Sequence, residues 1–144
     1  MVKSYYVAGF LYHSESQQVL LLQKSPNSDW EMFGGVSDMK NPQAFFEKIV
    51  KGVLVNTAGV KRTYPVYDYF NPSLHKTYYI FYAPVDQLRD YRARNEVNLA
   101  WFNFKQITKL ALSPQAKHDI VVAGRVIAAQ ARDDEPRVGL EPTT

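Results

Sequence analysis

Apolar residues run through this chain in short segments, and their spacing sets the elements to expect. Residues 4–13 read Ser-Tyr-Tyr-Val-Ala-Gly-Phe-Leu-Tyr-His. In a strand, Tyr5, Val7, Gly9 and Leu11 share one face, and Tyr6, Ala8, Phe10 and Tyr12 share the other. Both faces are apolar, which predicts a central strand between two covering layers. Gly9 marks a close approach by another backbone. Ser14 to Gln17 is a polar turn, and Val19-Leu20-Leu21-Leu22-Gln23 is the returning strand of a hairpin. Lys24 to Asp29 is a polar loop. Trp30 to Phe33 is short and apolar and runs into Gly34-Gly35.

Asn41-Pro42 joins a capping side chain to proline at the first helical position. Phe45, Ile49 and Val53 then recur every fourth residue beside Phe46, Val50 and Leu54, while Gln43, Glu47, Lys48 and Lys51 can face solvent. The pattern predicts an amphipathic helix of about four turns. Gly59 is placed to end it in the left-handed conformation. Residues 62–70 and 76–83 predict a second hairpin around Asn71-Pro72-Ser73. Residues 86–95 read as a polar loop with one helical turn, 99–104 as a strand and 105–110 as a turn of helix. Ser113-Pro114 repeats the cap-plus-proline signal. Ile120, Val121, Gly124, Ile127, Ala128 and Ala131 follow at helical spacing and predict about five turns. Residues 1–132 are expected to form one domain, with a mobile tail from Asp133. The order predicts an α/β fold: a mixed β-sheet sandwiched between helices.

The chain has 144 residues, 46% hydrophobic and 22% charged, enough for one self-sufficient core. It contains no cysteine, which excludes disulfides, thiolate metal sites and cysteine nucleophiles. The formal charge of +3 is too small to demand a nucleic-acid partner. No apolar run is long enough to span a bilayer, and the start lacks the features of a signal peptide. A cytoplasmic protein without a membrane partner is the expectation.

Aromatic residues make up 14%, with ten Tyr, and Tyr64, Tyr67, Tyr69, Tyr78, Tyr79 and Tyr82 fall close together. Cross-strand packing accounts for such a hairpin. A platform on which bases stack is the alternative.

The stretch from the second strand through the first helix resembles the Nudix (MutT-like) family. The family places an apolar strand, a basic residue, a loop, a Trp, a Gly-Gly pair and a helix in this order. Here they are Val19 to Leu22, Lys24, the 25–29 loop, Trp30, Gly34-Gly35 and the helix from Pro42. Glu96 followed by Trp101-Phe102 and a helical turn resembles the family's last strand and its lead-in. The likeness runs over residues 4–130 and implies a Nudix-like α/β/α sandwich.

The family's box reads Gly, five residues, Glu, seven residues, then Arg-Glu-apolar-any-Glu-Glu-any-Gly-apolar. Its glutamates share one helical face and hold Mg²⁺ or Mn²⁺, which neutralises a diphosphate and activates water. This sequence departs from it. Counting from Gly35, Asn41 replaces the first Glu, Ile49-Val50 the Arg-Glu pair and Val53-Leu54 the Glu-Glu pair. Anchoring on Gly59-Val60 instead gives Gly52-Val53 and Asn56-Thr57, the preferred register because it keeps the closing Gly-apolar pair. Neither places an acid at a metal position, and Phe33 replaces the usual Pro before Gly-Gly. A hard dication needs anionic oxygen ligands to compete with water.

The resemblance and the missing acids together imply a binding protein without metal-dependent hydrolysis and without a cofactor. The expected ligand is a nucleotide, a nucleoside-diphosphate derivative or an RNA segment, not duplex DNA. Lys24, Trp30, Gly34, Gly35, Tyr67, Tyr79 and Arg92 are the candidate ligand-binding residues. Lys24 can meet a phosphate or guard a sheet edge, and Arg92 belongs with Arg89 and Arg94 to a small basic group.

Two alternatives stand beside this. Asp38 and Glu96 could rebuild a Mg²⁺ or Mn²⁺ site in an active pyrophosphohydrolase. Alternatively, the aromatic surface could form a homodimeric protein-interaction module. Glu47 pairs with Lys51 at helical spacing in the simplest reading. His13, His75 and His118 lack ligand spacing, and Gly34-Gly35 is not a P-loop.

Overall fold

The computed structural model describes residues 4–134. The first strand, β1 (Tyr5–His13), is central, as its two apolar faces require. It pairs antiparallel with β2 (Gln18–Gln23) and parallel with β6 (Lys76–Val85). β3 (Trp30–Glu31), β4 (Phe33–Ser37), β5 (Tyr64–Asn71) and β7 (Asn98–Asn103) complete a mixed sheet of seven strands among the described residues. Its main path runs β3-β2-β1-β6-β5, with β4 on β1 and β7 on β2.

Helix α1 (Pro42–Val53) covers one face. Its Phe46 and Val50 pack with Val7, Leu11, Phe33 and Phe81. Helices α2 (Phe104–Ile107) and α3 (Pro114–Asp134) cover the other, where Ile107, Ile120 and Ile127 meet Ala8, Phe10 and Ile80. The α/β/α sandwich expected from the element order is therefore the observed one. Gly9 is where the layers press closest. A Cβ there would lie 2.2 Å from the Phe81 carbonyl oxygen and 2.7 Å from the Phe46 ring.

Several local expectations need correction. α1 has 12 residues, about three turns, and stops six residues before Gly59. Tertiary hydrogen bonds capture its end: the Val55 amide donates to the Arg92 carbonyl (2.9 Å) and the Arg94 amide to the Val53 carbonyl (2.7 Å). Leu54 thereby takes an extended conformation (φ −88°, ψ 136°) and bridges Ala93. Gly59 does adopt φ +81°, but in the turn closed by the Val60 amide on the Thr57 carbonyl. Residues 86–95 contain no helical turn and run as a strap along residues 53–58. α3 runs to Asp134, past Asp133 where the tail was expected to begin; the rest of that expected tail, 135–144, lies outside the described residues.

Candidate functional site

The sheet forks. β1 and β2 pair only from Leu11↔Leu20 to His13↔Gln18, then diverge. The chain 30–37 enters the gap, pairing first with β2 (Gln23↔Trp30, Leu22↔Glu31) and then with β1 (Gly9↔Phe33 to Tyr5↔Ser37). This gathers Lys24, Trp30, Gly34 and Gly35 at one end of the sheet. Within it their roles differ. Lys24 is exposed, and its ammonium lies 3.5 Å from the Glu31 carboxylate, also partly exposed. Trp30 is half-buried, with its ring edge-on to Phe102 at 4.9 Å. A Cβ on Gly34 would sit 2.6 Å from the Val7 carbonyl oxygen and 2.9 Å from the Tyr6 hydroxyl, so glycine permits that strand approach. Gly35 faces Phe45 and Ile49 of α1.

The tyrosines do not form one platform. Alternation along β6 sends Tyr78 and Tyr82 toward α3 and Tyr79 toward α1. Tyr79 packs edge-on to Tyr5 at 5.4 Å. On the α3 side the rings run Tyr6, Tyr78, Tyr69, Tyr67 at successive spacings of 4.8, 5.3 and 5.8 Å, the first pair tilted and the other two stacked. An irregularity between Pro65 and Tyr67 shifts the β5 register, so Tyr64 and Tyr67 both reach the α3 side. Tyr67 and Tyr79 thus sit on opposite faces of the sheet.

A buried acid on α3, Asp119, escaped the sequence reading. Its carboxylate accepts from Tyr67 (2.9 Å), Tyr69 (3.0 Å) and the Gln115 amide (3.2 Å). Burial raises its pKa above the ordinary carboxylate value although all three bonds pull the other way. Burial and the Asp119 carboxylate together push the Tyr67 and Tyr69 phenols up. The clue was an acid one residue before Ile120 in an apolar helix, too common a juxtaposition to single out.

Arg92 lies far along the chain from the fork, in the strap at the C-terminal end of α1. With Val55, Asn56, Ala58, Arg89 and Tyr91 it lines a cavity of about 360 Å³. Asp38 precedes the Asn41 cap of α1, whereas Glu96 follows the strap pinned to its last turn. The two acids flank opposite ends of a helix rising about 18 Å. Among the described residues no group of three or more His, Asp or Glu could hold a metal ion.

No family model matches the sequence, and no curated protein does. Solved structures do match. A MutT of Aliivibrio salmonicida or Vibrio cholerae superposes with TM-score 0.62 at 15% identity, covering 88% of this chain and 98% of its own. The Nudix domain of Shewanella oneidensis NrtR, crystallised with ADP ribose, gives 0.64 at 15% identity over 89% and 86%. The Nudix hydrolase RenU of M. smegmatis gives 0.62 at 16% over 92% and 88%. The fold is the Nudix fold.

By chain order α1 follows Gly34-Gly35, the place that the sequence resemblance gives the box helix. Val50 and Leu54 are 3% and 0% exposed and, with half-buried Val53, pack into the core against the sheet. Asn56 and Thr57, the acid-pair positions of the register preferred from sequence, lie beyond the last helical turn and cannot share a helical face with Val53. Counted straight on from Gly35, the Glu-Glu positions, Val53 and Leu54, fall at the last residue and C-cap of α1. No helix among the described residues is long and apolar enough to cross a membrane.

Proposed function

We propose that this protein binds a nucleotide or nucleoside-diphosphate derivative and does not hydrolyse it by the metal-dependent Nudix route. One observation carries the reading. Counted straight on from Gly35, the acid positions of the box fall on Val50, Val53 and Leu54, which pack into or against the core. Hydrocarbon there supplies no ligand to Mg²⁺ or Mn²⁺. Lys24 and the strap arginines are candidate sources of positive charge for a diphosphate, and they act by binding.

The ligand class is supported by the fold and by the ADP ribose bound in the NrtR domain. The relocated-metal alternative draws no support from Asp38 and Glu96, which flank opposite ends of α1.

Calorimetry with ADP, ADP-ribose and a short single-stranded RNA, each in EDTA and in Mn²⁺, tests the reading. The expected result is binding of at least one nucleotide that is indifferent to the metal. Release of phosphate or nucleoside monophosphate faster than about 1 s⁻¹, an ordinary enzymatic rate, contradicts it.

A further inference from the structure

Arg89 is held in place with no side-chain hydrogen-bond or ion-pair partner among the described residues. Its Nε is buried and makes no hydrogen bond. The guanidinium lies against Gly59, where a Cβ would come within 2.7 Å of Nε and 3.4 Å of Cζ and Nη2. The left-handed turn at Gly59 and its missing side chain therefore make room for this group.

The backbone on either side is fixed. Trp101 donates its indole N–H to the Arg89 carbonyl (2.9 Å), and the buried Tyr91 donates to the Ala58 carbonyl (2.7 Å). The Val55 amide holds the Arg92 carbonyl (2.9 Å). Asn56 Oδ1 accepts from the Ala58 amide (2.7 Å), which leaves the Asn56 amide N–H groups free to donate. Two guanidinium groups and one amide thus border a single 360 Å³ cavity, with Asp90 the acid on its rim. That volume is at the small end of ligand sites.

A cation fixed by packing, with its terminal donors unspent among the described residues, has already lost the freedom that binding an anion normally removes. Arg89 and Arg92 also present the planar donor geometry that suits phosphate oxygens.

We propose that this cavity, between the 55–59 turn and the 89–92 strap, binds the phosphate of a small phosphorylated ligand, with Arg89 as its anchor. The proposal rests on the nucleotide-binding reading for the ligand's identity only. The anion site itself stands on the geometry of Arg89, Arg92, Asn56 and Gly59.

The test is calorimetric titration of the full chain with inorganic phosphate and with ADP. Arg89→Gln, Arg89→Lys and Arg92→Gln are compared with Lys105→Gln, which removes the same unit of charge from exposed α2. The expected result is that ADP binds the parent and Lys105→Gln alike and that phosphate competes with it. Arg89→Gln and Arg92→Gln should bind about tenfold to a hundredfold more weakly. Arg89→Lys keeps the charge and the aliphatic packing but loses the fork, and is expected to lie between. It decides the matter together with Arg92→Gln if Arg89→Gln does not fold. Equal ADP affinity in Arg89→Lys, Arg92→Gln and the parent overturns the site and leaves the nucleotide reading standing. Arginine-dependent phosphate binding with ADP no tighter supports the site and removes the nucleotide reading. No binding of either probe at millimolar concentration overturns both.

Discussion

The Tyr67 hydroxyl donates to the Asp119 carboxylate at 2.9 Å, tying residues 52 positions apart and fastening α3 to the outer hairpin. Tyr69 adds a second bond at 3.0 Å, so one buried acid organises two aromatic rings. The arrangement makes a structural staple of the tyrosines most open to a ligand-binding interpretation.

Tyr67→Phe leaves the buried carboxylate one donor short. A loss of about 1–3 kcal/mol at pH 7 is expected from urea unfolding, the range for stripping a buried group of a partner. A change below the error of the measurement would mean that the bond is not maintained in solution.

Asp119 also gives stability a pH dependence of predictable sign. Its folded pKa is raised, chiefly by burial. The unfolded carboxyl ionises near its ordinary value of about 3.9. Between the two values the folded state holds more protons, so stability falls as pH rises. The contribution is complete below the unfolded pKa and lost as pH climbs through the folded one. Relative to Asp119→Asn, the parent is expected to lose stability from about pH 4 upward. Parallel pH profiles would contradict this.

Gly9→Ala is expected to be among the most damaging single-methyl additions. The new Cβ would meet a backbone oxygen at 2.2 Å in the middle of the sheet, where no side chain can swing aside. A cost above about 2 kcal/mol, or failure to fold, is expected. Calorimetric melting checks it.

Placing acids at the straight-count positions Val50 and Leu54 should break the fold rather than create a metal site. Val50 and Leu54 are 3% and 0% exposed, so Val50→Glu and Leu54→Glu each bury a carboxyl without a partner. Losses above about 3 kcal/mol are expected. Well-folded variants that acquire Mn²⁺ affinity would show that the core tolerates the acids.

Lys24→Ala should leave the melting temperature nearly unchanged. Its partner Glu31 is 3.5 Å away, but the two side chains are 70% and 40% exposed, so water screens the pair. Exposed pairs of this kind contribute about 0–1 kcal/mol. Weaker nucleotide binding without a stability change would assign Lys24 to the ligand.

The sequence made the layers legible and left much of the site obscure, for identifiable reasons. The two apolar faces of residues 5–12 placed β1 centrally, and Asn41-Pro42 and Ser113-Pro114 marked both long helices, where Asn41 Oδ1 and Ser113 Oγ cap backbone amides at 3.1 Å. Local patterns of this kind depend on nearby residues alone. The end of α1 does not: Gly59 looked like its stop, but the strap carrying Arg92 and Arg94, some forty residues on, captures the chain first. The tyrosine-rich stretch was visible as composition, whereas its division between two faces follows from the β5 irregularity and the β6 register. Asp119 and the Arg89–Gly59 contact arise only from tertiary packing.

The most direct test is Mn²⁺ binding to the full chain, followed by electron paramagnetic resonance and repeated in the presence of ADP-ribose. A face of Val50, Val53 and Leu54 should show no site tighter than millimolar, and the affinity for ADP-ribose should be the same in EDTA. A micromolar Mn²⁺ site that strengthens ADP-ribose binding and leads to its cleavage would contradict the account.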